Sequence, residues 1–146
     1  MRHPAFRRSF TTLAVVSALS ALSAQAVTLK VANQGDALSM DPHSLNETLQ
    51  ISVTSNVYEP LVTRGKDYKL TGGLATSWKQ TAPTVWRFNL RKGVKFHDGT
   101  PFTADDVVFS FERASHPASQ IRQYAIPVGK PRKIDEYTVE FVQDKP

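Results

Sequence analysis

The sequence predicts a mixed α/β fold, of the α+β kind, that contains several short hairpins. Apolar and polar residues alternate strictly in Val85–Leu90, as they do in a strand with one buried face. Thr103–Asp106 is a variant of the capping box and precedes a helix that we expect to end at about Ala114. Tyr137–Val142 alternates again, so strands and an amphipathic helix share one short stretch of chain.

Turn residues and spacing predict the remaining elements. We expect a strand at Thr28–Ala32, a loop at Asn33–His43, short strands at Leu61–Thr63 and Tyr68–Leu70, and a compact connection at Gly72–Trp78. After these we expect a turn at Lys92-Gly93, a short strand through Val94 and Phe96, and an irregular stretch at Ser115–Lys133. Between the loop and the first short strand we expect a helix from about Glu47 to Tyr58, which is capped by Ser44 or Asn46 and has an apolar stripe of Leu45, Leu49, Val53 and Val57.

The N-terminus has the order of a signal peptide, which we predict to span Met1–Ala26. A positively charged start precedes an apolar run at about Leu13–Leu22, and small residues at Ala24 and Ala26 suit the signal peptidase. Cleavage is therefore expected between Ala26 and Val27. The Arg7-Arg8 pair matches the twin-arginine export motif only in part, which favours the general secretory route and leaves the other open.

Charge and cysteine content exclude several classes of protein. The formal net charge of +5 includes three leader arginines, so the chain from Val27 onward carries only +2 and no basic stripe typical of nucleic-acid binding. The sequence has no cysteine, which excludes disulfides, thiolate metal sites, cysteine nucleophiles and the lipid anchor of a bacterial lipoprotein. We expect the mature protein to be free in solution.

Several motifs together resemble one family. The longest motif is Trp86–Glu112, which includes Leu-Arg-Lys-Gly-Val-Lys-Phe-His-Asp-Gly-Thr-Pro-Phe-Thr-Ala-Asp-Asp-Val. Shorter segments agree with it, namely Val31–Asp36, Leu38–His43, Asn56–Leu61, Leu74–Trp78 and Asp135–Phe141. The chain thereby resembles the family 5 extracellular solute-binding proteins, the periplasmic receptors of ABC importers for dipeptides, oligopeptides, nickel and related solutes.

The resemblance implies a type II-like periplasmic binding protein with two lobes that close on a solute. Residues 27–146 are then expected to be a truncated N-terminal part: the first part of lobe I with its small extra subdomain, and no second lobe. It further implies a monomeric, soluble periplasmic receptor, not a lipoprotein and not an enzyme. Its expected partners are a short peptide or other small solute and the permease subunits at the inner membrane, with no nucleic acid, cofactor or metal.

The resemblance also points to a ligand-binding segment, Leu38, Ser39 and Met40. It matches the stretch that, in peptide-binding relatives, runs beside the bound peptide as an added strand and offers backbone hydrogen bonds. Packing of Leu38 and Met40 against the first lobe is the alternative. For the whole protein, other solutes such as nickel chelates, glutathione or opines remain open, as does a secreted hydrolase.

Other chemistry is disfavoured by spacing. His43 and His97 lie in predicted turns without the paired ligand spacing of a zinc site. Asp105 and Asp106 are adjacent on a helix and point about 100° apart, so capping is preferred to shared acid–base work. The aromatic residues lie mostly on predicted buried faces, which indicates core packing.

Overall fold

A computed structural model describes residues 28–146 of the chain. The chain divides into two units, residues 1–33 and 34–146, and residues 28–33 of the first have no regular secondary structure. In the second unit the elements are α1 (Thr48–Thr54), β1 (Val62–Arg64), β2 (Leu70–Gly72), β3 (Ala75–Ala82), β4 (Val85–Leu90), α2 (Ala104–Ser115), α3 (Arg122–Ala125), a 3₁₀ turn (Ile126–Val128), β5 (Lys130–Asp135) and β6 (Thr138–Val142).

Four antiparallel strands form the main sheet in the order β3-β4-β6-β5. The predicted strand Val85–Leu90 is confirmed as β4, and the strand predicted at Tyr137–Val142 is β6, beginning one residue later. These two strands lie at the centre of the sheet, which explains why they show the clearest alternation. Strands β1 and β2 form a separate two-stranded sheet. The mixed α/β class is therefore confirmed.

Helix α2 covers one face of the main sheet, and its predicted start is confirmed. The backbone N–H of Thr103 donates to Asp106 Oδ2 at 2.8 Å, which satisfies a donor that the helix leaves free. The first apolar residues of the helix, Ala104 and Val107, are buried against the sheet. Among residues 28–146, no helix has the length and apolar character needed to cross a membrane.

The core lies between α2 and the central strands. Phe141 is 2% exposed, with its ring centroid 4.6 Å from that of Phe111 on α2 and 5.5 Å from that of Phe88 on β4. Both pairs are edge-on, the geometry that aromatic rings prefer. The buried cluster consists of Leu90, Phe102, Ala104, Val107, Val139 and Phe141.

Two strands were not predicted. Gly72–Trp78 was expected to be a connection, yet β3 begins within it at Ala75, and β5 occupies the end of the stretch expected to be irregular. Both are edge strands with largely exposed residues, and their sequences ATSWKQTA and KPRKID carry little apolar alternation. Charged residues and proline are typical of sheet edges, where they hinder further pairing.

Three other strand predictions are wrong or displaced. Thr28–Ala32 forms no strand, since alternation alone supplies no partner for the backbone groups. The stretch through Val94 and Phe96 makes only a single bridge, from Lys95 to Pro101. Strand β2 begins two residues later than predicted because Tyr68, at φ 61°, still belongs to the preceding turn.

Helix α1 is shorter than the predicted Glu47–Tyr58, and the prediction of its cap is wrong. Neither Ser44 nor Asn46 caps it; the N-cap is Glu47. The helix ends at Thr54, where polar side chains that follow compete for its last carbonyls. The residues of the predicted apolar stripe are half-buried or exposed. The buried residues of α1 are two polar ones, Gln50 and Thr54.

Candidate functional site

The predicted ligand-binding segment, Leu38–Met40, is irregular backbone at the surface. The side chain of Leu38 is 79% exposed and that of Met40 is 49% exposed, whereas Ser39 is half-buried. Within the residues that the structure describes, Leu38 therefore does not pack into the core. Its apolar side chain is accessible on the surface of the described residues.

Three hydrogen bonds hold the backbone of this segment. Gln50 Nε2, on α1, donates to the carbonyl oxygen of Ser39. The hydroxyl of Tyr58, just after α1, donates to the carbonyl oxygen of Met40 at 2.9 Å. The N–H of Asp41 donates to Ser39 Oγ at 3.0 Å. The segment thus lacks secondary structure but has a defined conformation.

An ion pair ties the end of the segment to the last turn of α2. Arg113 Nη1 and Nη2 lie 2.7 and 2.5 Å from the two carboxylate oxygens of Asp41. This bidentate geometry is the strong form of the interaction. The hydrogen bonds from Arg113, and next that from the His43 backbone, hold the pKa of Asp41 well below its usual range. Asp41 is therefore ionised in the folded protein at neutral pH.

His43 is part of the same cluster. Its Nδ1 lies 3.0 Å from Arg113 Nη1, so the neutral ring accepts there and carries its proton on Nε2. Burial is the main cause that lowers the pKa of His43, and the nearby guanidinium lowers it further. The His43 carbonyl accepts the N–H of Gln120 at 3.0 Å. His43 is thus a neutral structural partner in a turn, as the sequence indicated.

The residues that position the segment could not be recognised in the sequence. Gln50 is 11 positions from Ser39, Tyr58 is 18 from Met40, and Arg113 is 72 from Asp41. None belongs to a local motif that signals such a contact. The features predicted for Met1–Ala26, and the cleavage residues Ala26 and Val27, lie outside the described residues.

The other candidate groups have structural roles. Asp106 caps α2, while Asp105 Oδ2 lies 2.6 Å from Lys133 Nζ, so the two carboxylates serve different partners. Asp98 Oδ1 accepts from the N–H and hydroxyl of Thr100 at 2.9 and 2.7 Å in a tight turn. Within residues 28–146, no three His, Cys, Asp or Glu side chains converge as metal ligands do.

Two open depressions mark the surface of the described part. One of about 370 Å³ lies where the end of α1 meets the β1–β2 hairpin, and is lined by residues 55–60 with Thr63, Gly72 and Gly73. The other, of about 610 Å³, lies at one end of the main sheet beside Lys92 and Tyr137. Neither of these two depressions contains the Leu38–Met40 segment.

More than half of the chain matches one protein family. The model of the bacterial extracellular solute-binding proteins, family 5 (middle), matches residues 69–146, which is more than half of the chain. The matched region contains the main sheet, helix α2 and the arginine that holds Asp41.

Two curated relatives and one solved structure illustrate the similarity. The chain is 32% identical over 150 residues to the glutathione-binding protein GsiB of Shigella dysenteriae serotype 1, covering all of this chain and 29% of the relative. It is 30% identical over 142 residues to the periplasmic oligopeptide-binding protein OppA of Escherichia coli K12, covering 84% of this chain and 26% of the relative. NikZ of Campylobacter jejuni, solved with Ni(L-His), superimposes with a TM-score of 0.68 at 25% identity, covering 77% of this chain and 23% of that one.

The chain spans between a quarter and a third of the length of the two curated relatives. The superposition on NikZ agrees with the mixed α/β fold that the sequence predicts. On the family match and the shared fold, the chain belongs to the bacterial extracellular solute-binding proteins of family 5.

Proposed function

We propose that this protein is the substrate-binding component of an ABC importer, which captures a short peptide in the periplasm and delivers it to permease subunits at the inner membrane. The observation that carries the proposal is the family match over residues 69–146. Among the similar proteins are a glutathione-binding protein, an oligopeptide-binding protein and a structure solved with Ni(L-His), and the oligopeptide-binding relative supports a short peptide.

The Leu38–Met40 segment supports a peptide as the ligand. Leu38 and Met40 are exposed, and the segment is held in place without being part of a sheet. Its backbone N–H groups, which have no partner within residues 28–146, can therefore pair with another extended backbone. Pairing of this kind uses main-chain groups that all peptides share, and therefore tolerates varied side chains. Glutathione, a nickel chelate and an opine are the alternative solutes on the same scaffold.

The remaining parts of the proposal concern export and assembly. Met1–Ala26 is the signal peptide, residues 27–146 are the N-terminal part of the family 5 domain, and the mature receptor is a soluble monomer with no lipid anchor. It binds and releases its solute without chemical change, in contrast to a secreted hydrolase. Closure of the protein around the solute signals occupancy to the permease.

Titration calorimetry tests the proposal, with protein expressed from the complete open reading frame. The probes are trialanine, glutathione, Ni(L-His) and an opine. Trialanine is expected to bind and to be recovered intact by mass spectrometry. Binding of glutathione, Ni(L-His) or the opine without binding of trialanine would reject the short-peptide assignment in favour of that solute, and cleavage of trialanine would favour the hydrolase.

Ser39 variants test the segment itself. Ser39→Pro removes a backbone donor and constrains φ, and is expected to weaken peptide binding about fivefold or more, which corresponds to about 1 kcal/mol. Ser39→Ala is the matched control. It removes only the Oγ that accepts the Asp41 N–H, so affinity should stay within about twofold of the unsubstituted protein. A folded Ser39→Pro variant of unchanged affinity would show that this segment does not hold the ligand.

A further inference from the structure

Gln50 combines two features that stability alone does not explain. Its side chain is buried, with the residue 2% exposed, and Nε2 donates to the Ser39 carbonyl. Its Oε1 is also buried but has no hydrogen-bond partner among the described residues. An unsatisfied buried acceptor costs about 1–3 kcal/mol, so an apolar side chain of similar size is the better choice for packing alone.

The bond from Gln50 determines which way one peptide group faces. The carbonyl of Ser39 and the N–H of Met40 belong to the same peptide unit, and no peptide bond in the described residues is cis. In a trans peptide the C=O and N–H point in opposite directions. Because Gln50 holds the Ser39 carbonyl towards α1, the Met40 N–H points away from α1.

Both hydrogen-bonding groups of the next peptide unit have partners within the protein. The Met40 carbonyl accepts from Tyr58, and the Asp41 N–H donates to Ser39 Oγ. The Met40 N–H, by contrast, makes no hydrogen bond within residues 28–146. Met40 is 49% exposed, and the backbone groups on both sides of this N–H are hydrogen-bonded.

We propose that Gln50 is a positioning residue of the solute site: its Nε2–Ser39 bond orients the Ser39–Met40 peptide so that the Met40 N–H donates to a backbone carbonyl of the bound peptide. This inference rests on the proposed peptide-binding function. Preorganisation of the donor lowers the cost of ordering the segment when the ligand binds. Without Gln50 the peptide group is free to rotate, and the donor is presented only part of the time.

Gln50→Leu removes the bond while keeping a similar side-chain size. Expressed from the complete open reading frame and titrated with trialanine, this variant is expected to bind about tenfold more weakly than the unsubstituted protein. Gln80→Leu is the matched control. Gln80 Nε2 also donates to a backbone carbonyl, that of Pro83 at 2.9 Å. This bond lies in the β3–β4 turn, so the affinity of the Gln80→Leu variant for trialanine should equal that of the unsubstituted protein.

A second control separates affinity from general weakening of α1. Thr54→Val removes a buried hydroxyl that donates to the Gln50 carbonyl at 2.9 Å, one turn along the same helix. It is expected to lower the unfolding temperature and to leave trialanine affinity within about twofold. If Thr54→Val weakens binding as much as Gln50→Leu, the effect belongs to helix stability and the inference is overturned.

The Met40 amide itself provides the decisive measurement. With ¹⁵N-methionine labelling and the resonance assigned through Met40→Leu, saturating trialanine should slow hydrogen exchange of the Met40 amide at least about tenfold. In Gln50→Leu, also saturated, this protection should be largely lost. An unprotected Met40 amide in the saturated unsubstituted protein, or full protection in Gln50→Leu, overturns the inference alone. Failure of the unsubstituted protein to bind trialanine overturns the proposed peptide function and the inference with it.

Discussion

Glu140 is a carboxylate buried on the side of the main sheet that faces away from α2, and its removal should destabilise the sheet strongly. The residue is 2% exposed and lies on β6 between Arg87 of β4 and Arg132 of β5, in direct cross-strand register with both. Arg87 Nη2 lies 2.6 Å from Oε1, and Arg132 Nη2 lies 2.5 Å from Oε2. The perturbation we choose is Glu140→Gln, which keeps the shape and removes the charge.

The expected cost follows from what the substitution leaves behind. Breaking a buried ion pair by removing one partner typically costs about 3–5 kcal/mol. Here the side chains of Arg87 and Arg132 are 39% and 62% exposed, so water recovers part of their solvation. We therefore expect a loss of about 2–3 kcal/mol in the free energy of unfolding of the sheet, which is below the range for a fully buried pair.

Hydrogen exchange read by mass spectrometry over β4 and β6 is the assay, since it reports on this sheet even within a longer protein. A loss of about 2 kcal/mol corresponds to exchange about 30 times faster when exchange requires opening of the sheet. Glu112→Gln is the control, because Glu112 is an exposed glutamate on α2. Equal exchange rates in Glu140→Gln and the unsubstituted protein would refute the reasoning.

The same variant has a defined pH dependence. The hydrogen bonds from Arg132, and next from Arg87, hold the pKa of Glu140 below its usual value. A carboxyl with a depressed folded pKa stabilises the fold above the unfolded pKa of about 4.3, and this contribution disappears as pH falls through the folded pKa. The difference between Glu140→Gln and the unsubstituted protein should therefore be full at pH 6–7 and should shrink below about pH 4.3.

Two further predictions concern the segment and the leader. Arg113→Met should weaken trialanine binding about threefold, because the bidentate pair with Asp41 anchors the segment. The pair is partly exposed and therefore contributes about 0.5–1 kcal/mol. Calorimetry gives the affinity, and an unchanged value would mean that the segment is held without this pair. N-terminal sequencing of the periplasmic protein should read Val27 as the first residue, after cleavage at Ala26, and a start more than a few residues away would contradict the signal peptide assignment.

The elements recognised in the sequence share one physical property. Val85–Leu90, Tyr137–Val142 and the helix after Thr103 each pack one apolar face against the core, so their apolar residues recur with the period of the element. The edge strands β3 and β5 bury little and are held mainly by backbone hydrogen bonds to a neighbour. Backbone bonds impose no side-chain pattern, so the sequence contained little from which to predict either strand.

The helix near Glu47 was predicted as an element but not in its details. Its apolar spacing is real, yet the residues that it buries most completely are Gln50 and Thr54. The buried Gln50 side chain donates to a carbonyl of the Leu38–Met40 segment. A polar residue on a short helix carries no sign in the sequence that a distant loop will occupy its hydrogen-bonding group.

The sequence by itself therefore determined the fold class, the central strands, the capped helix α2 and, through its motifs, the family. These depend on local periodicity and on runs of residues that can be read in order. Tertiary structure alone decided the edge strands, the partners of Glu140, and the three contacts from Gln50, Tyr58 and Arg113 that hold the candidate segment. The physical reason is that these contacts join groups far apart along the chain, whose meeting depends on how the folded elements pack.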